Sequence, residues 1–134
     1  MKTRVLDSWA ILEWISGRQP ATDLVAKLLA EAEAGQTRLL MSAINVGEVY
    51  YFLTKHHSQD LAESWRESWR TLPVTIEVPT AEDIWSASSL KGRFAIAYAD
   101  AFAAALAQTY NCPLVTGDPE LRQVDQLELD WIAL

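Results

Sequence analysis

Four carboxylates stand in surroundings that are unusual for surface acids: Asp7, Glu48, Asp100 and Asp118. The first follows a short apolar run, the second lies among apolar and aromatic residues, the third interrupts an alanine-rich stretch, and the fourth lies in a Gly-Asp-Pro sequence typical of turns. Carboxylate oxygens are the ligands that hard cations such as Mg²⁺ prefer. Such an ion acidifies a bound water and neutralises charge that develops on a phosphate. The four acids therefore indicate a site for a divalent cation that could act on a phosphate group, if the fold brings them together.

Electrostatics favour a cation among these acids. Two carboxylates about 4 Å apart repel each other by roughly 4 kcal/mol at an effective dielectric constant of about 20. A cluster of them therefore requires either a bound cation or pKa values raised enough to keep protons bound. We expect Asp7 and Asp100 to bind the ion directly, with Glu48 and Asp118 completing the site or holding a second ion.

Each acid taken alone also fits an ordinary structural role. Asp7 is a suitable N-cap for a helix after the first strand, and Asp100 suits an N-cap or the first turn of a helix, where the helix dipole favours an acid. Glu48 fits a helix surface, and Asp118 fits a turn before proline. The functional interpretation therefore rests on the four acids as a set.

Strands and helices alternate along the chain. Apolar and β-branched runs predict strands at 3–6, 38–42, 74–78, 113–116 and 129–132. Helical spacing of apolar residues predicts helices at 9–15, 20–34, 45–53, 58–72, 80–90 and 98–110. Gly17 and Gly35 mark two helix ends, and Lys91-Gly92 is expected to break the helix that begins at Thr80.

This alternation predicts an α/β fold, in which a parallel sheet is covered by helices on both faces and the crossovers are right-handed. In such sheets, sites form beyond the carboxyl ends of the strands. Asp7 and Asp118 each come directly after a predicted strand. We therefore expect both to lie at the same edge of the sheet.

Length and composition restrict the class of protein. The 134 residues are half hydrophobic and carry a net charge of −7, which fits one domain spanning 1–134 and argues against a protein that coats DNA through basic residues. A nuclease that uses cations remains compatible with this acidity. The single cysteine, Cys112, and the lack of a signal peptide or membrane-spanning run predict a cytoplasmic protein with no membrane association.

Several further residues could also carry chemistry. Lys91 and Arg93 place positive charge shortly before the helix of Asp100, where an RNA backbone could approach, although a solvated loop would carry the same residues. The adjacent His56 and His57 point in different directions and fit a helix end. Cys112 has no matching histidine pattern and fits a buried apolar position.

The four acids lie in sequence motifs that resemble one family. The motifs are Val-Leu-Asp-Ser at 5–8, Ser-Ala-Ile-Asn-Val-Gly-Glu at 42–48, Ala-Asp-Ala at 99–101 followed by Ala-Ala-Leu-Ala at 104–107, and Val-Thr-Gly-Asp-Pro-Glu-Leu at 115–121. In this order they resemble the PIN domain, particularly the VapC toxins of toxin–antitoxin pairs. The resemblance spans nearly the whole chain, and the last two motifs are the most specific.

The resemblance implies a PIN-like three-layer α/β/α sandwich with a central parallel sheet. It implies an endoribonuclease that depends on Mg²⁺ or Mn²⁺, with the four acids as catalytic and metal-binding residues. Three polar neighbours would orient the carboxylates or waters: Ser8, Asn45 and Thr116. Each of these also fits a plainer role, as a helix cap for the first two and as a β-branched strand end for the third.

The resemblance also implies partners. They are an RNA substrate, a VapB-like antitoxin that lies in apolar grooves of the toxin, and a second copy of the chain in a homodimer. The candidate antitoxin contacts are four aromatic residues that fit a core equally well: Trp9, Trp14, Trp65 and Trp69.

Two other functions are considered. A catalytically silent PIN-like module would bind RNA or protein without cleaving it, although the complete set of acids counts against this. A phosphatase-like hydrolase would use Asp7 as a phosphoryl acceptor. The haloacid dehalogenase pattern, which such a site would resemble, has a second aspartate two residues after the first. In this sequence that position is Trp9. We therefore discount the phosphatase.

Overall fold

The computed structural model describes residues 1–134 and contains five strands and six α-helices. In chain order these are β1 (Lys2–Leu6), α1 (Ser8–Ser16), α2 (Ala21–Glu33), β2 (Thr37–Ser42), α3 (Ala43–His56), α4 (Gln59–Ser68), β3 (Val74–Glu77), α5 (Ala81–Arg93), α6 (Tyr98–Thr109), β4 (Leu114–Thr116) and β5 (Leu129–Trp131). Short 3₁₀ helices cover Trp69–Thr71 and Pro119–Gln123. The predicted alternation of strands and helices is confirmed.

All five strands are parallel and lie in the order β3-β2-β1-β4-β5. The first strand is central, with Val5 paired to Leu40 on one side and to Leu114 on the other. The chain therefore builds the sheet outward from β1 in one direction and then returns to build it in the other. This reversal opens a crevice beside the carboxyl end of β1, where α/β proteins commonly bind ligands.

Two clusters of buried residues cover opposite faces of the sheet. Neighbouring residues of a strand point to opposite faces, and accordingly Val5 packs with α5 and α6 while Leu6 packs with α1 to α4. The sheet is thus the middle of three layers, which confirms the expected α/β/α sandwich.

Helix α6 lies closely against the sheet because its buried face is made of small residues. Seven consecutive residues, 101–107, are buried, and five of them are alanines. The helix contacts both β1 and β2, which explains why an alanine-rich segment is favourable here. No helix of the structure is both long enough and apolar enough to cross a membrane.

The predicted end of the helix that begins near Thr80 is wrong. Helix α5 continues through Lys91 and Gly92 to Arg93 and ends at Phe94. A glycine inside a helix costs only about 1 kcal/mol relative to alanine, and packing of the buried Leu90 against α6 holds the last turns in place. The two basic residues therefore lie in a helical turn and not in a loop.

Two other helices differ in length from the predictions. Helix α3 begins earlier than residue 45 because the Ser42 side chain caps it by accepting the N–H of Ile44 at 3.2 Å. Helix α4 ends at Ser68, before the predicted residue 72. The Thr71 hydroxyl donates to the Ser68 carbonyl, and the chain tightens into a 3₁₀ turn before Pro73.

Candidate metal centre

The predicted acids gather at the carboxyl ends of two adjacent strands. Asp7 directly follows β1, and Asp118 comes two residues after β4. Because these strands are paired and parallel, both residues lie at one edge of the sheet. Glu48 from α3 and Asp100 from α6 join Asp118 in lining a cleft of about 160 Å³. Asp7 is fully buried and does not line the cleft, but the charges of Asp118 and Glu48 are near enough to raise its pKa.

The two carboxylate oxygens of Asp7 have different surroundings. Its Oδ1 accepts the N–H of Ala10 at 2.9 Å and thereby caps α1. Its Oδ2 is buried without a hydrogen-bond partner of normal geometry, and the residue is 0% exposed. Burial raises the pKa of Asp7 to about 7, although the nearby Thr116 hydroxyl and the Ala10 N–H oppose the rise. The capping role and the metal-binding role are therefore compatible.

Asp100 lies in the first turn of α6 and is 6% exposed. It does not cap the helix, because Ala97 occupies the N-cap position. Burial, followed by the charges of Asp118 and Asp7, raises the pKa of Asp100 to about 8. Burial and the neighbouring negative charges disfavour the ionised form of Asp100. A cation placed between Asp100 and its neighbours would favour that form.

A fifth acid, Glu120, joins the group and was not predicted from the sequence. Carboxylate oxygens of Asp100, Asp118 and Glu120 all lie within 4.8 Å of one another. Asp118 caps the 3₁₀ turn that follows β4 by accepting the Glu120 N–H at 3.0 Å, and Pro119 begins the turn. This local folding brings the Glu120 carboxylate back towards Asp118. The only sequence signal was an Asp-Pro-Glu turn sequence.

Two of the predicted polar neighbours contact acids of the site. The Ser8 hydroxyl donates to Oε1 of Glu48 and so holds the Glu48 side chain in position. The Thr116 hydroxyl accepts the backbone N–H of Asp118 at 3.0 Å and so shapes the turn that carries it. Ser8 is not the cap of α1, because Asp7 has that position.

Asn45 links the starts of two helices behind the cleft. Its Nδ2 donates to the carbonyl of Ala99 at 3.1 Å, one residue before Asp100. Its Oδ1 is buried without a partner, and the residue does not cap α3, since Ser42 does. Asn45 therefore fixes the position of the backbone from which Asp100 extends.

Part of the cleft lining is apolar. It consists of Trp9 and Leu12 from α1 together with Phe52 from α3. The ring of Trp9 lies directly over Gly117, where a β-carbon would come within 2.6 Å of ring atoms Cζ2 and Cζ3. Gly117 is thus required for the close approach of Trp9 to the turn that carries Asp118.

Sequence comparison identifies the family. A model of the PIN domain matches residues 4–127. The chain belongs to the PIN domain family. At the level of sequence, no curated protein matches it.

Solved structures share the fold of this PIN domain. VapBC2 from Rickettsia felis, bound to a DNA fragment from its promoter, superposes with a TM-score of 0.74 at 17% identity, over 98% of this chain and 99% of that one. VapC20 from Mycobacterium tuberculosis, a toxin that cleaves the sarcin-ricin loop, gives a TM-score of 0.74 at 16% identity, over 94% and 98%. The DNA-bound VapBC from Salmonella typhimurium gives 0.73 at 13%, over 97% and 98%. The fold of this PIN domain is therefore that of VapC toxins.

The two basic residues predicted to contact RNA lie outside the cleft of this PIN domain. Lys91 and Arg93 are exposed in the last turn of α5, and the guanidinium of Arg93 lies 5.2 Å from the ring centre of Phe94. The nine residues that line the cleft include no lysine or arginine. A contact of this pair with RNA stays a prediction.

The tryptophans divide between core and surface. Trp65 is buried and donates its Nε1–H to the carbonyl of Val46 at 3.0 Å, which ties α4 to α3. Its ring also lines a groove of about 230 Å³ together with Trp14. Trp69 is half-buried and lines a second groove with Trp65. Antitoxin contact at these grooves stays a prediction.

The donor set of the PIN domain fits a hard divalent cation. Every ligand candidate is a carboxylate oxygen, as Mg²⁺ and Mn²⁺ prefer. The partnerless Oδ2 of Asp7 offers a buried lone pair, and the outer acids converge within the span of one ion's ligands. The raised pKa values of Asp7 and Asp100 describe these residues in the absence of the ion that would stabilise their charges.

Proposed function

We propose that this PIN domain is a metal-dependent endoribonuclease that hydrolyses phosphodiester bonds of RNA as the toxin of a VapBC-type pair. The observation that carries the proposal is the convergence of Asp100, Asp118 and Glu120, together with the buried Oδ2 of Asp7, which has no hydrogen bond of normal geometry. A folding role alone leaves that oxygen unexplained, because buried polar atoms are generally paired. A divalent cation accounts for all of these features together.

Asp7 and Asp100 would hold the ion directly, with Glu48 and Asp118 closing the site. When bound, a divalent cation acidifies water and offsets charge that grows on the phosphate. The Ser8 hydroxyl holds Glu48 in place for this role. Burial raises the pKa values of Asp7 and Asp100 to about 7 and about 8, so binding of a cation by these carboxyls would release protons near neutral pH.

RNA and an antitoxin are proposed from the relatives. VapC20 cleaves the sarcin-ricin loop, and several structures of the same fold are VapB–VapC complexes. The cleft of this chain combines acids with an apolar wall, which suits a nucleotide chain held beside cations. The grooves around Trp14, Trp65 and Trp69 are the proposed contacts for a VapB-like antitoxin.

The first experiment is cleavage of a mixed RNA pool by the purified, antitoxin-free protein. We expect cleavage with Mg²⁺ or Mn²⁺, none with EDTA, and a loss of about 100-fold or more for Asp100→Asn. Glu67→Gln is the matched control, because Glu67 is an exposed acid on α4 outside the cleft. We expect this variant to cleave like the wild type.

Two outcomes would contradict the proposal. Equal cleavage by the wild type and Asp100→Asn would show that the cleavage does not depend on the acidic site. Metal-dependent RNA binding without cleavage, over a broad RNA pool, would indicate the silent PIN-like module.

A further inference from the structure

One face of α3 carries aromatic side chains next to the acidic cleft. Glu48, Phe52 and His56 are spaced four residues apart, so their side chains follow one another along the same side of the helix. Glu48 and Phe52 both line the acidic cleft. The ring of His56 stacks on that of Phe52, with centroids 5.5 Å apart and planes 29° apart. We name Phe52 and His56 the aromatic strip.

Phe52 lies outside both hydrophobic cores. It is half-buried and belongs to neither of the two buried clusters nor to the partly buried residues packed against them. Its aromatic neighbours, Tyr51 at 4.9 Å edge-on and His56, are both exposed. Large apolar residues ordinarily contribute to folding by packing into a core. Core packing therefore does not account for the position of Phe52.

The chemistry of the cleft limits what can hold a nucleic acid there. Its lining combines acids with Trp9, Leu12 and Phe52 and includes no basic residue. Most proteins attract a phosphate backbone with lysine and arginine. Here the lining side chains offer apolar and aromatic contact. Stacking of a base on an aromatic ring is such a contact, and it changes affinity by roughly 5- to 150-fold per base.

We propose that the aromatic strip stacks an unpaired base of the substrate next to the phosphate that reaches the acids. The inference rests on the proposed function, because it takes the acidic cleft as the site of cleavage. A base within a duplex is already stacked and paired, so only a single-stranded or looped nucleotide can use the strip. The preferred substrate is accordingly RNA with unpaired bases at the cleavage site.

The test measures binding separately from cleavage. A fluorescent RNA hairpin and a fully paired duplex of the same length are titrated with Asp100→Asn protein in Mg²⁺, and anisotropy reports binding. We expect the hairpin to bind more tightly than the duplex. Adding Phe52→Leu, which keeps an apolar side chain but removes the ring, should weaken hairpin binding by roughly 5- to 150-fold. The affinity for the duplex should change little.

Three further variants complete the design. Phe52→Tyr retains a ring and should retain most of the hairpin affinity. His56→Ala removes an exposed ring and should weaken hairpin binding in the same direction, even if Phe52→Leu folds poorly. Trp85→Leu is the matched control, because Trp85 is 70% exposed on α5 and lies outside the cleft. It should leave binding unchanged.

Cleavage kinetics give an independent readout. In the otherwise wild-type chain, Phe52→Leu should raise KM for the hairpin and leave kcat largely unchanged, with an unaltered calorimetric titration by Mn²⁺. The inference would be overturned if the strip substitutions left hairpin binding by Asp100→Asn unchanged, or if the hairpin bound no more tightly than the duplex. Failure of the proposed function would appear instead as absence of cleavage by the wild type.

Discussion

The carboxyl groups of Asp7 and Asp100 reduce the stability of the metal-free protein as the pH rises. In the folded state their pKa values are about 7 and about 8, against a usual value of 3.8. Between about pH 4 and pH 8 the folded state therefore binds more protons than the unfolded state, and stability falls as pH increases. The loss is complete above about pH 8. Burial is the largest cause for both residues.

Asp100→Asn should remove part of this loss. In EDTA at pH 8 we expect the variant to melt about 5 °C or more above the wild type, whereas at pH 4 the two should melt at similar temperatures. Thermal unfolding followed by circular dichroism at several pH values measures this. A difference in melting temperature that does not vary with pH would contradict the assignment. Glu67→Gln should show no such pH dependence.

Glu120 provides a second prediction at the level of one residue. Its carboxylate is exposed, yet it lies within 4.8 Å of those of Asp100 and Asp118. We expect Glu120→Gln to weaken Mn²⁺ binding by about 10-fold, because one anionic ligand or orienting group is lost. Isothermal titration calorimetry measures the affinity without reference to turnover. Glu67→Gln changes the net charge equally, so matching affinities for both variants would exclude Glu120 from the site.

At the scale of elements, the contact between α1 and the turn after β4 is unusually close. Gly117→Ala would place a methyl group against the ring of Trp9. We expect this substitution to lower the free energy of unfolding by about 1–3 kcal/mol through overpacking. Urea denaturation measures the change. Combining it with Trp9→Leu should recover part of the loss, because the smaller side chain vacates the space.

Gly92→Ala is the control for this prediction. Gly92 lies inside α5, and a β-carbon there would contact nothing within 4 Å. Alanine favours a helix by about 1 kcal/mol relative to glycine, so this variant should be as stable as the wild type or more stable. If Gly117→Ala and Gly92→Ala behaved alike, the close packing of Trp9 would not constrain the turn.

Local sequence predicted the elements because apolar periodicity and capping residues act over a few neighbours. Thr80 and Asp83 form the expected capping box, with bonds of 2.9 and 3.2 Å. The error at Lys91-Gly92 arises from contacts between helices, which local sequence does not report. Packing of α5 on α6 outweighs the low helix propensity of one glycine, and no local rule includes that packing.

For the molecule as a whole, the sequence predicted that acids would lie at one edge of the sheet but not which carboxylates would converge. Strand alternation placed Asp7 and Asp118 at one edge of a parallel sheet, and the resemblance to a family added Glu48 and Asp100. The inclusion of Glu120 depends on how a 3₁₀ turn folds back. The partnerless oxygen of Asp7 depends on tertiary packing around it.

The order of the strands divides the site between the two halves of the chain. A break at the exposed turn between α3 and α4, at residues 57–58, would leave one piece with β1, β2, Asp7 and Glu48 and another with the three remaining strands, Asp100 and Asp118. The central strands of the first piece pair on both sides with strands of the second. Neither piece alone can assemble the cleft. Under the proposed function, neither half expressed alone would cleave RNA, and cleavage after coexpression would report that the two halves had assembled.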